Sequence, residues 1–246
     1  MNPDENPRVS LMMLSYNSEK FIQAAVSSVV NQTYRNWELV ISDDASTDGT
    51  WELVRRMASV EPRIRHFRNK ANLGTPRNRA EASKHLTGDL IAHFDSDDVL
   101  YPDAVRLMVN AFAAKPDADL IYSDYSSMDA AGNIDGYVAN PNPTSDLSGF
   151  GWKPFGMFRR SSFDRTEGYN TRINHCEDGD IFMQLVEHGK FYRIPHVLYA
   201  RRSHADNVSR KNKHCRDCGE RQVCNFMRVW SKHANYDPVT FTPLKK

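Results

Sequence analysis

Short apolar runs alternate with helix-like segments through the first half of the chain, and this alternation limits the fold more than any other feature. Residues 9–14, 37–41 and 90–94 are apolar runs of the length expected for buried parallel strands. Between the first two runs, the apolar residues of segment 21–30 recur at helical spacing. Regular β-α-β alternation with short connections predicts an α/β fold, with a mostly parallel sheet and helices on both faces.

The second half of the chain has a different character and predicts a small mixed subregion. Residues 129–151 are rich in Gly, Asn, Pro and Ser, which favours a hairpin followed by a loop. The other elements predicted here are a strand at 119–125, a strand and turn at 155–163, a helix at 178–188, and short strands at 191–194 and 197–201.

The charge balance gives no sign of a nucleic-acid partner. The 246 residues contain 32 Lys and Arg against 31 Asp and Glu, a formal net charge of +1, so no overall field attracts a polyanion. No stretch approaches the roughly 20 apolar residues that span a bilayer, and residues 1–8 lack the pattern of a secretory signal. We therefore expect a cytoplasmic protein, and peripheral association with the inner face of a membrane stays open.

An acidic cluster, Asp95, Asp97 and Asp98, directly follows the apolar run 90–94. In an extended chain, residues two apart point to the same side, so the Asp95 and Asp97 side chains converge. Two close carboxylates repel each other unless one is protonated or a cation lies between them, and such oxygen ligands suit Mg²⁺ or Mn²⁺. The alternative is that Asp97 or Asp98 caps the helix entered at Pro102.

Several short motifs occur in a fixed order along the chain. They are Leu14-Ser15-Tyr16-Asn17, Gln32-Thr33-Tyr34, Asp43-Asp44-Ala45-Ser46-Thr47-Asp48-Gly49, Asn72-Leu73-Gly74, Asp95-Ser96-Asp97-Asp98, Glu177-Asp178 and His204. Together they closely resemble the motifs of family 2 glycosyltransferases of the GT-A fold. The resemblance implies inverting transfer of a sugar from a nucleoside-diphosphate sugar, usually a UDP-sugar, to a hydroxyl of a saccharide or glycolipid acceptor. It also implies a place in polysaccharide or glycolipid biosynthesis.

The resemblance implies roles for single residues at the donor site. Tyr16 would stack on or border the uracil, Asp43 would accept a hydrogen bond from the base, and Asp44 would hold its loop. Asp95 would lie near the ribose, and Asp97 would ligate a Mn²⁺ or Mg²⁺ ion that bridges the two phosphates. The donor-binding residues implied are Ser15, Tyr16, Asn17, Asp43, Asp44, Arg79, Asp95 and Ser96, and the metal ligands implied are Asp97, Asp95 and His204.

Asp178 matches the catalytic base of the family. The alternatives are that Asp178 caps the helix that starts there, or that Glu177 or Asp180 is the base instead. His204 matches a late histidine that approaches the diphosphate or the metal, and the alternative is a loop histidine bonded to the backbone.

The family has an Arg-Asn pair after the Asn-x-Gly turn, and here the correspondence is imperfect. Arg77-Asn78 is such a pair but lies two residues early, whereas counting without gaps gives Arg79, followed by Ala80 in place of asparagine. We favour Arg79 for a phosphate or base contact and keep Arg77 as the alternative. Either arginine could instead form a surface salt bridge.

We divide the chain by role on the same resemblance. Residues 1–125 would be the nucleotide-sugar-binding half of a single GT-A domain, 126–209 its acceptor-binding half, and 210–246 a C-terminal helical tail. Asp124, Trp152 and Lys153 are candidates for acceptor contacts, with core or loop roles as the alternative.

The tail contains Cys215, Cys218 and Cys224, with His214 beside them. A Cys-x-x-Cys pair with a third Cys and a His could complete a structural Zn²⁺ site. The alternative is a tail helix with partly buried thiols. Basic residues in and before the tail, Arg210, Lys211, Lys213, Arg216 and Arg221, could approach an anionic membrane or form a solvated face.

Two other functions stay open. One is a binding module that keeps the nucleotide-sugar pocket without catalysis, which the presence of Asp97, Asp178 and His204 disfavours. The other is a nucleotidyltransferase, which would carry a Gly-rich loop with Lys or Arg after the first strand. Residues 15–18, which occupy that place, contain no glycine.

Overall fold

The structure is a computed structural model that describes residues 6–140, 155–173 and 177–207. The predicted tail 210–246, including its helix and its candidate zinc ligands Cys215, Cys218 and Cys224, lies outside the described residues, as do Trp152 and Lys153. Within the described ranges, no helix is both long and apolar enough to cross a bilayer.

The first part of the chain forms the predicted parallel sheet. Its strands run in the spatial order β3-β2-β1-β4, and every neighbouring pair is parallel. The helices follow their strands as the apolar spacing predicts. The elements are β1 (Val9–Ser15), α1 (Ile22–Val30), β2 (Trp37–Asp43), α2 (Thr50–Val60), β3 (Ile64–Arg68), α3 (Thr75–Ser83) and β4 (Leu90–His93).

The second part extends the same sheet with mixed pairing. The order continues β4-β8-β6-β9-β5, and β7 pairs with β6, which makes nine strands within the described ranges. Strand β8 lies antiparallel between β4 and β6, whereas β9 runs parallel to β6. The elements are β5 (Val99–Leu100), α4 (Ala104–Ala114), β6 (Ala118–Met128), β7 (Ile134–Val138), β8 (Gly156–Arg159), α5 (Arg160–Phe163), α6 (Glu177–His188) and β9 (Lys190–Arg202).

The two short strands predicted at 191–194 and 197–201 are one strand, β9. The register against β6 shifts between the pairs Ser123–Ile194 and Asp124–Val197. Pro195 lies in this gap, and proline has no N–H to donate to a ladder. The sequence pattern therefore indicated a break where the strand carries a bulge.

Two apolar clusters cover the two faces of the sheet, as an α/β fold requires. One cluster packs α1 and α4 against the sheet through side chains such as Val26 and Met108. The other packs α3 and α6 through Ala82 and Phe182. The polar motifs lie where the strands end, and these ends meet at one edge of the sheet.

Candidate functional site

Asp43, the last residue of β2, is fully buried at the edge of the sheet beside the end of β1. Its Oδ1 accepts a hydrogen bond from Ser15 Oγ at 3.3 Å, and its Oδ2 accepts one from the Ser46 amide at 3.0 Å. The Arg68 guanidinium adds an ion pair, with Nε 3.4 Å from Oδ2. The carboxylate is therefore held in one orientation by groups from β1, β3 and its own loop.

Asp44 fixes the loop that leads into α3. Its Oδ1 accepts from Asn69 Nδ2 at 2.8 Å and from the Leu73 amide at 2.9 Å, and its Oδ2 accepts from the Gly74 amide at 2.9 Å. Gly74 has φ +79°, a conformation that favours glycine. This one carboxylate therefore sets the position of residues 69–74 relative to β2.

The loop after β1 presents an aromatic ring at the same edge. Tyr16 is 50% exposed, although the two residues that follow it are held by side-chain hydrogen bonds. Asn17 Oδ1 accepts from the Thr47 amide at 2.8 Å, and Ser18 Oγ lies 2.8 Å from Ser96 Oγ. The loop is thus fixed while the Tyr16 ring stays available to a ligand.

The predicted acidic cluster forms at the end of β4. Carboxylate oxygens of Asp95, Asp97 and Asp98 all lie within 4.8 Å of one another. Asp98 is buried and occupied, because its carboxylate accepts hydrogen bonds from the Tyr199 hydroxyl and from the Arg202 amide at 2.6 Å. The helix that follows begins at Ala104, and neither Asp97 nor Asp98 caps it. Asp95 and Asp97 remain as candidate ligands.

His204 joins Asp97 from the end of β9. Its Nε2 lies 2.8 Å from Asp97 Oδ2, and Asn207 Nδ2 donates to the same oxygen at 3.0 Å. The ring of Phe21 packs against the imidazole, with 4.6 Å between ring centroids. The structure therefore brings together two candidate ligands that are 107 residues apart in the sequence, whereas Asn207 was not anticipated.

The cluster suits a hard divalent cation. Burial, followed by the charge of Asp97, raises the pKa of Asp95 to about 6, so the two carboxylates are held closer than their ionised forms prefer. A cation shared by Asp95, Asp97 and His204 would relieve that repulsion. Mn²⁺ accepts both carboxylate and imidazole ligands. Mg²⁺ prefers oxygen ligands, so it would be held mainly by the carboxylates of Asp95 and Asp97.

Asp178 lies in the first turn of α6, which packs on β6. Its Oδ1 accepts a hydrogen bond from the Gly179 amide at 2.7 Å. Burial, followed by the charge of Glu177, raises the pKa of Asp178 to about 7. The alternative base Asp180 is fully buried and accepts from Gln184 Nε2 at 2.9 Å. A pKa near neutral suits a general base, so Asp178 stays the candidate for that role.

Arg79 lies inside the protein. It is 5% exposed, and its Nε donates to Glu177 Oε1 at 3.0 Å, whereas Arg77 is exposed. No local sequence pattern predicts this ion pair, because 98 residues separate its members.

A pocket of about 370 Å³ adjoins the acidic cluster on the side of β6 and β9. Asn207, which donates to Asp97, forms part of its wall. Its lining combines polar side chains with apolar surface that includes the ring of Tyr125 and the side chain of Val138. The lining residues are Tyr125, Ser127, Val138, Arg201, Arg202, Ser203 and Asn207.

Asp124, a candidate for acceptor contacts, is fully buried and occupied. It accepts two hydrogen bonds from Arg193, at 2.8 and 2.6 Å, one from the Tyr137 hydroxyl at 2.9 Å and one from the Asn140 amide at 2.8 Å. Its role is therefore to fasten β7 and β9 to β6, which is the core alternative.

Comparison with known proteins adds three findings to this geometry. Chondroitin synthase from Escherichia coli is 32% identical over 242 residues, which covers 95% of this chain but 35% of that protein. The crystal structure of residues 1–349 of S. aureus TarS with UDP-GlcNAc has a TM-score of 0.74 at 18% identity and covers 90% of this chain and 64% of that one. Mannosyltransferase PcManGT from Pyrobaculum calidifontis, with GDP-Man and Mn²⁺, has a TM-score of 0.64 at 18% identity and covers 84% and 60%.

The family can be named from the sequence match. The Glycosyl transferase family 2 profile matches residues 10–176, more than half of the chain. This range contains the strand-end motifs of β1, β2 and β4, and the two solved structures share the fold of this chain. The chain therefore belongs to glycosyl transferase family 2 and has the GT-A fold.

Proposed function

We propose that the protein is an inverting, metal-assisted glycosyltransferase that moves a sugar from a UDP-sugar to a hydroxyl of a saccharide or glycolipid acceptor. One observation carries the proposal. The charge of Asp95 contributes to raising the pKa of Asp178 to about 7, so Asp178 lies near the acidic cluster of Asp95, Asp97 and Asp98, and His204 contacts Asp97. These are the two parts that transfer from a diphosphate donor needs, a base and a clamp for the leaving group.

The similar proteins support the chemical class of donor and product. TarS was crystallised with UDP-GlcNAc, and PcManGT with GDP-Man and Mn²⁺. The relative from Escherichia coli is a chondroitin synthase, which makes a polysaccharide. We infer a uracil nucleotide because Asp43 and Tyr16 suit the family's mode of base recognition. In this proposal, residues 1–125 bind the donor and 126–209 carry the acceptor side.

Asp178 takes the proton of the acceptor hydroxyl as the hydroxyl oxygen attacks the anomeric carbon. The new glycosidic bond forms on the face opposite the diphosphate, the bond from the anomeric carbon to the phosphate oxygen breaks, and configuration inverts. The proton ends on Asp178 and the electron pair on the departing UDP. The raised pKa of Asp178 makes it a strong enough base for this step near neutral pH.

Asp95, Asp97 and His204 would hold the metal. When bound, it would neutralise charge that develops on the leaving diphosphate. At the other end of the donor, Asp43 is an acceptor whose orientation is already fixed by Ser15 and Ser46. Because Asp43 is fully buried and both its oxygens already have partners, accepting from the uracil N–H requires it to exchange one of these partners for the donor, whereas Tyr16 is already exposed enough to stack on the ring.

Calorimetric titration tests the donor assignment. UDP and GDP are titrated into the protein with Mn²⁺ and then with EDTA, and again into Asp97→Ala. We expect UDP binding that needs the metal and weakens by about 10-fold or more in Asp97→Ala. Asp164 directly follows α5 and is exposed. The variant Asp164→Ala is therefore the control, and it should bind UDP as the wild type does.

The other outcomes contradict the proposal in distinct ways. Preference for GDP would reject the uracil donor, and equal affinity in EDTA would reject the metal. Binding with no release of UDP from any UDP-sugar, over a panel of saccharide acceptors, would favour the inactive binding module. Pyrophosphate as the product would favour a nucleotidyltransferase.

A further inference from the structure

The ion pair between Arg79 and Glu177 joins α3 to α6, the helix that contains Asp178. Arg79 belongs to α3, which packs on β1 and β2, and Glu177 opens α6, which packs on β6. Both side chains are 6% exposed. Breaking a buried ion pair from one side leaves an uncompensated charge, which is strongly unfavourable. The pair therefore fixes the start of α6 against the strands that carry the donor motifs.

Glu177 and Asp178 are consecutive, so a constraint on one limits the other. Both lie in the first turn of α6, where Asp178 also accepts from the Gly179 amide. If the Glu177 side chain lost its partner, the first turn could rotate or fray, because the first amides of a helix have no partner within it. Holding Glu177 through Arg79 thus aims the Asp178 carboxylate.

Arg79 also supplies positive charge among several acidic groups. Burial alone would lower the pKa of Arg79, but the charges of Glu177 and Asp95 raise it above its ordinary value. Conversely, the charge of Arg79 opposes the rise in the pKa of Asp178 that burial, Glu177 and Asp95 cause. Arg79 is therefore placed to limit how far that pKa rises.

We infer that Arg79 is a positioning residue for the catalytic base, acting through Glu177, and that it does not contact the donor. The inference rests on the proposed function, because it assumes that Asp178 is the base. It replaces the expectation that Arg79 binds the phosphates or the nucleobase. With 5% of its surface exposed and its Nε engaged by Glu177, Arg79 has little surface to offer a ligand.

The test compares Arg79→Gln, Glu177→Gln and the double variant with wild type. Turnover is measured as UDP release from the UDP-sugar that the wild type uses, and UDP affinity by calorimetry with Mn²⁺. We expect each single variant to lower kcat by about 10- to 100-fold, part of the 10²- to 10⁴-fold that a general base contributes. UDP affinity should stay within about twofold of the wild-type value, because neither side chain is inferred to contact the donor.

The pH profile separates positioning from a general loss of structure. Arg79→Gln removes a positive charge and should move the acid limb of kcat to higher pH, whereas Glu177→Gln removes a negative charge and should move it to lower pH. The double variant keeps a neutral hydrogen-bonding pair, so the fold-loss of its kcat should be smaller than the product of the fold-losses in the two single variants. Arg55→Gln, an exposed arginine on α2, is the matched control and should leave all three measurements unchanged.

Three results would overturn the inference. They are UDP affinity that falls about 10-fold or more in Arg79→Gln, acid limbs that move in the same direction in both single variants, and strictly multiplicative losses in the double variant. If a single variant does not fold, the UDP affinity and kcat of the double variant decide. A wild type that neither binds UDP nor releases it from a UDP-sugar would instead reject the proposed function.

Discussion

Carboxylates occupy both ends of the candidate donor site, but the protein treats them in opposite ways. At the nucleobase end, where we propose that the uracil binds, Asp43 and Asp44 are buried, and backbone amides and side chains donate to both oxygens of each. At the chemical end, burial dominates for Asp95 and Asp178 and raises their pKa values to about 6 and 7.

The difference separates holding from reacting. A carboxylate that accepts several hydrogen bonds is stabilised in its charged form and fixed in direction, which suits the recognition of one nucleobase. A buried carboxylate near other negative charges gains from a cation or a proton, and such groups are common at catalytic sites. The predictions below test whether the two ends respond to substitution as this division requires.

The largest effect is expected at the chemical end. Asp178→Asn keeps the size of the side chain but removes the base, so kcat should fall by about 10²- to 10⁴-fold. UDP affinity should be unchanged, and thermal unfolding above pH 7 should occur at the same or a higher temperature, since an unfavourably buried charge is gone. Steady-state kinetics, calorimetry and a thermal melt measure these. A parallel loss of UDP binding would mean that Asp178 holds the donor.

At the nucleobase end, substitution should instead reduce the stability of the fold. Asp44→Ala removes an acceptor that Asn69 Nδ2 and the Leu73 and Gly74 amides share. Asn69 and Gly74 keep second acceptors in Asn78 and Asn72, but the Leu73 amide loses its partner, which costs about 1–3 kcal/mol in the free energy of unfolding. Urea denaturation measures this, with Asp164→Ala as the exposed control. An unchanged midpoint would show that the loop at 69–74 does not depend on this carboxylate.

The pH dependence of turnover follows from the raised pKa of Asp178. In the proposed mechanism the deprotonated carboxyl is the active form, so kcat should be constant well above pH 7 and fall about 10-fold for each pH unit below it. The profile is measured with saturating UDP-sugar and Mn²⁺. An acid limb near pH 4, the ordinary range for an aspartate, would mean that the charged form of Asp178 is as well stabilised as the carboxylates at the nucleobase end.

The smallest effect should come from Tyr16. Its ring is 50% exposed, so Tyr16→Ala should leave folding unaffected and weaken UDP binding by about fivefold, near the lower end of the stacking contribution. Tyr16→Phe keeps the ring and should bind UDP as the wild type does. Equal losses in both variants would point to the hydroxyl and not to stacking.

The parallel part of the fold could be predicted because its signals are local. Strands β1, β2 and β4 coincide with apolar runs, the apolar residues of α1 recur at helical spacing, and short connections make the sequence neighbours pair. The position of β8 could not be predicted. Its pairing with β4 joins Leu90 to Arg159, and no local pattern records a partner so distant along the chain.

The candidate site was predictable to a similar extent. The acidic cluster follows from the alternation of side chains after β4, and the meeting of His204 with Asp97 was expected from the family resemblance. The burial of Arg79 was not, because an arginine in a polar helix segment has the same local pattern whether it faces solvent or an ion-pair partner. Ala45 has φ +60°, and alanine gives no signal for that conformation.

Strand β8 also determines the order in which the sheet can be completed. It occupies the position between β4 and β6, yet it follows both in the chain. As the polypeptide is synthesised, β6 has no partner in the parallel sheet until residues 156–159 arrive, and the hydrogen-bonding edge of β4 stays open to other chains meanwhile. Assembly of the reaction centre is therefore a late, non-local event in folding, and a fragment that ends at residue 125 should aggregate.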